Sequence, residues 1–118
     1  MAMPVGSEAI IPYDPHLRKI MRSALAGRAD VREKAMFGGY CWMLNGNMLC
    51  GVEVGRFMFR VGKAQEAEAL ARPGCEKIIF AGRPMGGFVW VDASACTNTG
   101  IQTWIELAAR YVRSLPAK

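Results

Sequence analysis

The sequence predicts a single α+β domain spanning 1–118, built on a five-stranded antiparallel sheet with helices on one face. The predicted order is α-β-β-β-α-β-β-α, preceded by a loose N-terminal arm over 1–13. Three observations lead there. Apolar stripes at helical spacing follow Asp14-Pro15 and Asn98-Thr99. Two hairpin signals, Asn45-Gly46 and Gly55-Arg56, interrupt a run of alternating apolar residues. The length of 118 residues fits one domain that can bury a core without disulfides or metals.

The first helix starts at Asp14-Pro15, where Asp caps free N–H groups and Pro suits the first helical position. Leu17, Ile20, Met21, Ala24 and Leu25 form its apolar stripe, and Gly27 ends it. A meander then begins at Met36-Phe37-Gly38-Gly39-Tyr40. A two-residue loop at Asn45-Gly46 pairs Leu44 with Asn47, Met43 with Met48 and Cys41 with Cys50. A Gly-X loop at Gly55-Arg56 pairs Val54 with Phe57, Val52 with Phe59 and Cys50 with Val61. These registers place Cys41, Met43, Met48, Cys50, Val52, Val54, Phe57, Phe59 and Val61 on one apolar face, the floor for the helices. The opposite face collects Tyr40, Trp42, Leu44, Leu49, Glu53, Met58 and Arg60. Lys63–Arg72 reads as a short helix ended by Pro73-Gly74. Lys77–Phe80 and Gly87–Val91 read as strands around the turn-like Ala81-Gly82-Arg83-Pro84. Asn98 or Thr99 caps a last helix with Ile101, Trp104, Ile105, Ala108, Tyr111, Val112 and Leu115 at helical spacing, closed by Pro116.

Composition limits the function classes. No apolar run approaches the roughly 20 residues of a membrane helix. Met1–Pro12 lacks a basic and apolar leader, so a cytoplasmic location is expected. The net charge of +5 favours acidic partners, but the basic residues are scattered rather than blocked. Cys41, Cys50, Cys75 and Cys96 form no C-x-x-C, and His16 is the one histidine, so no metal and no cofactor is expected. No nucleophile elbow surrounds a Ser or Cys, and the carboxylates stand singly, so no catalytic residue is expected. Gly38-Gly39 lacks a phosphate-loop pattern and reads as strand geometry.

Three candidate surfaces follow. Tyr40, Trp42, Leu44, Leu49, Met58 and Arg60 would form an exposed cluster of the kind that marks an interface, with a protein partner or as a homodimer. Arg18, Lys19 and Arg22 on the first helix are candidate nucleic-acid contacts. Arg60 and Arg83 are candidate anion contacts. Cys41 and Cys50, opposed at about 4.5 Å between Cα atoms, are a candidate thiol pair, with two packed reduced thiols as the alternative.

The runs Lys34-Ala35-Met36-Phe37-Gly38-Gly39-Tyr40, Leu44-Asn45-Gly46-Asn47-Met48 and Phe57-Met58-Phe59-Arg60-Val61-Gly62 resemble the TfoX (Sxy) N-terminal-domain family. Ala71-Arg72-Pro73-Gly74, Ala81-Gly82-Arg83-Pro84-Met85, Gly87-Phe88-Val89-Trp90-Val91-Asp92 and Ser114-Leu115-Pro116-Ala117-Lys118 extend the resemblance from about residue 16 to the end. Taken alone each piece is short; their order and spacing together are specific. The resemblance implies a secretion-chaperone-like α+β fold. It also implies a stand-alone copy of a domain found in competence regulators, which act with a cyclic-AMP-receptor-type activator and carry a second, C-terminal domain. It brings no catalytic residues. The expected function is a non-catalytic regulatory or protein-interaction module, with transcription machinery among the candidate partners. A nucleic-acid-binding accessory protein and a small-anion binder are the alternatives.

Overall fold

The computed structural model describes residues 13–36, 39–97 and 100–118. Helix α1 spans Pro15–Ala24, and strands β1 to β4 span Val31–Met36, Gly39–Leu44, Asn47–Val52 and Arg56–Arg60. A 3-10 turn at Lys63–Gln65 runs into the one-turn helix α2, Glu66–Leu70. Strands β5 (Cys75–Phe80) and β6 (Arg83–Asp92) form a hairpin. A 3-10 turn at Ala93–Cys96 then precedes helix α3, Gly100–Val112. The sheet is antiparallel and six-stranded, ordered β1-β2-β3-β4-β6-β5.

The sequence signals for α1 hold. The Asp14 carboxylate accepts the His16 N–H at 2.9 Å, and Pro15 opens the helix. Gly27 adopts φ +87°, a conformation that carries little penalty for glycine. Asn45 and Gly46 take φ +52° and +84°, the type I′ turn that suits a two-residue hairpin. Ala81 and Gly82 build a second turn of that kind, so β6 begins at Arg83 rather than Gly87. The proposed caps Asn98 and Thr99, the pair Phe37-Gly38 and most of the N-terminal arm lie outside the described residues.

Five strands become six because β1 was not signalled. Its sequence, Val-Arg-Glu-Lys-Ala-Met, is poor in the β-branched and aromatic residues that mark strands. Charged residues on both faces suit an edge strand, where they discourage pairing with another chain. The meander therefore has a strand ahead of it, with Met36 opposite Gly39.

The register correction matters more. Leu44 pairs with Asn47 and Met43 with Met48, as the turn requires, but Trp42 then pairs with Cys50. Leu49 is left without a partner, and beyond it Cys41 faces Gly51 and Tyr40 faces Val52. One extra residue in β3 reverses the alternation between the turn and the strand centre. In the next hairpin, the Glu53 backbone N–H donates to Arg56 O at 2.9 Å across Val54-Gly55, and Val52 pairs with Phe57. The expected pairing was off by two residues there, which preserves the faces.

Trp42, Leu44 and Leu49 are therefore core residues rather than an exposed cluster; Trp42 is 2 % exposed and the two leucines are fully buried. They join Cys50, Val52, Phe57, Phe59, Val61, Val89 and Val91 in a cluster with Leu17 and Met21 of α1, Ala69 of α2, and Trp104, Ile105 and Val112 of α3. Phe59 stacks on Trp104 with ring centroids 5.6 Å apart. Tyr40 is half-buried and packs at the margin of this cluster, with Tyr13 edge-on at 5.1 Å. The C-terminus closes the end of the sheet: Asn47 Nδ2 donates to Pro116 O at 2.9 Å, and Lys118 N donates to Asn45 O at 2.9 Å.

Trp42→Ala tests this placement. Truncating a buried tryptophan costs about 3–5 kcal/mol, read as a fall in the denaturant midpoint. A loss below about 0.5 kcal/mol would return Trp42 to a solvent face.

Candidate functional site

Alternation from the core residues defines the other side of the sheet. Met43 and Met48 stand opposite each other, Cys41 opposes Gly51, and Met58 pairs with both Gly51 and Trp90. Phe88 pairs with Arg60 further along. A groove of about 420 Å³ opens on this side, with walls that include Met36, Cys41, Met48, Met58, Phe88 and Trp90. Phe80, 71 % exposed, stands at the β5 end of the groove.

Five of the eight methionines, Met36, Met43, Met48, Met58 and Met85, are half-buried along this side, whereas Met21 is fully buried in the core. Methionine is unbranched and polarisable, so such a surface can repack around differently shaped partners. Glycine at 51 keeps the floor low: a Cβ there would meet Met58 Cε at 3.4 Å and Cys41 Cβ at 3.7 Å. Arg56 covers one wall, with its guanidinium 4.0 Å from the Trp90 ring centroid. It is held by Glu53 at 2.5 Å and Glu76 at 3.1 Å. Cations mark the β1 side, where exposed Arg32 and Lys34 stand opposite Met43 and Cys41.

The predicted residues divide between the two sides. Met58 lines the groove, and Arg60 lies past its end by Phe88 and Tyr111; Trp42, Leu44 and Leu49 lie in the core, and Tyr40 lies at its margin. Met36, Met43, Met48, Phe88 and Trp90 were missing from the predicted face. Phe88 and Trp90 could have been found, because they alternate with the core residues Val89 and Val91. Met43 and Met48 could not, because the extra residue at Leu49 has no signature in the sequence.

The anion candidates are separate. Arg60 sits between Phe88 and Tyr111, 5.5 and 5.7 Å from their ring centroids. Arg83 begins β6 opposite Phe80, five positions before Phe88, or about 17 Å along an extended strand. The basic helix is largely engaged. Arg18 and Arg22 both bind Glu33 of β1, at 2.5 and 3.1 Å, and Arg18 also lies 3.6 Å from the Tyr40 ring centroid. Arg28 pairs with Glu106 at 2.6 Å, which holds that carboxyl below its usual range. Lys19 remains exposed.

The thiol pair is also corrected. Cys41 and Cys50 are not opposed, and they face opposite sides of the sheet; all four cysteines are free thiols. Burial raises the Cys41 pKa, with Lys34 acting in the other direction. Burial pushes Cys50 up strongly, Cys75 to about 11 and Cys96 to about 12. The Cys41 thiol points at Lys34 O at 3.7 Å and touches two methionine sulfurs.

Among the described residues, no group of three His, Cys, Asp or Glu side chains could hold a metal ion. No described helix is long and apolar enough to cross a membrane. In comparisons with known proteins, the model of the TfoX N-terminal domain matches residues 23–111, well over half of the chain. No curated protein and no solved structure matches it.

The thiols give a pH-dependent readout. Alkylation of the native protein should label half-buried Cys75 ahead of Cys50. Because only the thiolate reacts, the Cys75 rate should climb about tenfold per pH unit as pH rises toward its raised pKa. Mass mapping checks both points. A rate already level at pH 9, or a 41–50 disulfide formed under mild oxidation, would contradict the arrangement.

Proposed function

We propose, from the premise that the chain belongs to the TfoX N-terminal-domain family, that it is a non-catalytic regulatory domain of the competence-regulator type that works by protein–protein contact. Helices α1, α2 and α3 form one layer and the sheet the other, and the free side of the sheet receives the partner. The observation that carries this reading is the apolar groove lined by Met36, Met48, Met58, Phe88 and Trp90 on the side away from the helix-packed core. Apolar surface gathered in one continuous patch is the usual mark of an interface. Aromatic and methionine side chains are the types enriched at such contacts.

The partner is a protein, with transcription machinery the first class to examine, and the domain works in the cytoplasm. A second copy of the chain is the other occupant that fits an apolar sheet face. Nucleic-acid binding through Arg18, Lys19 and Arg22 has less support, because two of these three cations are held by Glu33.

The test is capture of partners from the native cell with Met58→Asp and Lys19→Ala variants, both checked for folding by circular dichroism. Met58→Asp is expected to lower partner recovery at least about tenfold by placing an unpaired charge in an apolar contact, while Lys19→Ala leaves recovery unchanged. Equal recovery from both variants would contradict the reading. Loss confined to Lys19→Ala, together with duplex DNA affinity that falls steeply with salt, would favour the nucleic-acid alternative.

A further inference from the structure

The sulfur atoms on the Met-rich side are grouped rather than merely numerous. Cys41 Sγ lies 3.9 Å from Met36 Sδ and 3.9 Å from Met43 Sδ. The backbone explains the convergence. Cys41 and Met43 are two positions apart on β2, so they share a face. Met36 lies diagonally across on β1, opposite Gly39, which contributes no side chain between them. Long side chains on a diagonal can meet in this way. Met48, opposite Met43, adds a further thioether beside the group.

The spacing has a chemical meaning. Around a trigonal centre, metal–sulfur bonds of about 2.3 Å set neighbouring sulfurs about 4 Å apart. Both Cys41–Met separations, 3.9 Å, already lie close to that value. We propose that Met36, Cys41 and Met43 form a binding site for a soft monovalent metal ion, Cu(I), at the wall of the sheet groove.

The donor set and the local charge select the ion. One thiolate with two thioethers favours Cu(I) over harder ions, which take oxygen and nitrogen donors. On binding, the Cys41 S–H bond breaks, an S–Cu bond forms, and the proton leaves to solvent. Copper stays in its +1 state, so nothing is oxidised or reduced. The bound site is electrically neutral. A divalent ion on the same donors would leave a net positive charge beside Arg32 and Lys34, which stand opposite Met43 and Cys41. Such repulsion acts against zinc or Cu(II). Access is open, because Met36 and Cys41 line the groove. The site is independent of the partner-binding reading, so either could fail without the other.

The test titrates the reduced full-length chain with Cu(I), without oxygen, against a chromogenic Cu(I) chelator. The expected result is one tightly held ion per chain, with a sulfur-to-copper absorption band and sulfur-only coordination by X-ray absorption. Cys41→Ser should abolish tight binding. Met36→Leu and Met43→Leu should each weaken it at least about tenfold, with the fold retained because the substitutions nearly conserve volume. Cys75→Ser, which removes a half-buried thiol elsewhere, should leave binding unchanged. Wild-type affinity in the two Met→Leu variants would show sulfur packing alone and overturn the proposal. So would loss of binding in Cys75→Ser, or no copper retained against the chelator.

Discussion

The unpaired residue Leu49 decides which side of this sheet becomes core. At the Asn45-Gly46 turn, Met43 and Met48 face away from the helices. One position along β2 and two along β3, Trp42 stands opposite Cys50, and both point into the core. Without that irregularity, two methionines would point under α3 and Trp42 would point outward. Strand alternation has a period of two, so one inserted residue exchanges the sides completely. Leu49 is itself fully buried, which anchors the bulge. Burying each large apolar side chain contributes roughly 1.5–3 kcal/mol, so the arrangement that places Trp42, Leu44 and Leu49 together under the helices prevails.

The rest of the structure accommodates this choice. Phe59 and Trp104 stack where α3 crosses the sheet, and Phe57 lies beside Phe59 at 6.3 Å between centroids. Glu33, on the helix-facing side of β1, would be costly there alone. Arg18 and Arg22 of α1 accept its charge, and Arg18 also lies over Tyr40. The same carboxylate engages two of the three cations that first suggested contact with nucleic acid. At the junction of β4 and β6, Val61 N and Gly62 N both donate to Gly87 O, at 2.8 and 3.0 Å. A Cβ on Gly87 would come within 3.1 Å of Gly62 Cα, so glycine is required at this backbone crossing.

The helices and turns were legible in the sequence because their signals are local. Asp14-Pro15, Gly27 and Asn45-Gly46 each act through their own backbone geometry. The apolar spacing of α3 also read directly onto Ile101, Trp104, Ile105, Ala108 and Val112, all buried. Two features were not legible. Strand β1 is held by pairing with β2 and by the ion pairs of Glu33, neither of which its composition announces. The bulge at Leu49 reflects competition between two burial patterns, a property of the assembled core. Beyond the bulge Met58 therefore stays half-buried opposite Gly51 and Trp90, whereas Trp42, Leu44 and Leu49 are buried rather than exposed. The paired thiols Cys41 and Cys50 came apart for the same reason.

The bulge places soft, adaptable side chains on the side of the sheet opposite the helix-packed core. Mild peroxide oxidation of the native chain, mapped by mass spectrometry, tests this sidedness most directly, because thioether oxidation follows solvent access. The account expects Met36, Met43, Met48, Met58 and Met85 to oxidise well ahead of Met21, which is fully buried. Protection of Met43 and Met48 to the same degree as Met21 would contradict it, since those two residues would then lie in the core and the bulge would not exist.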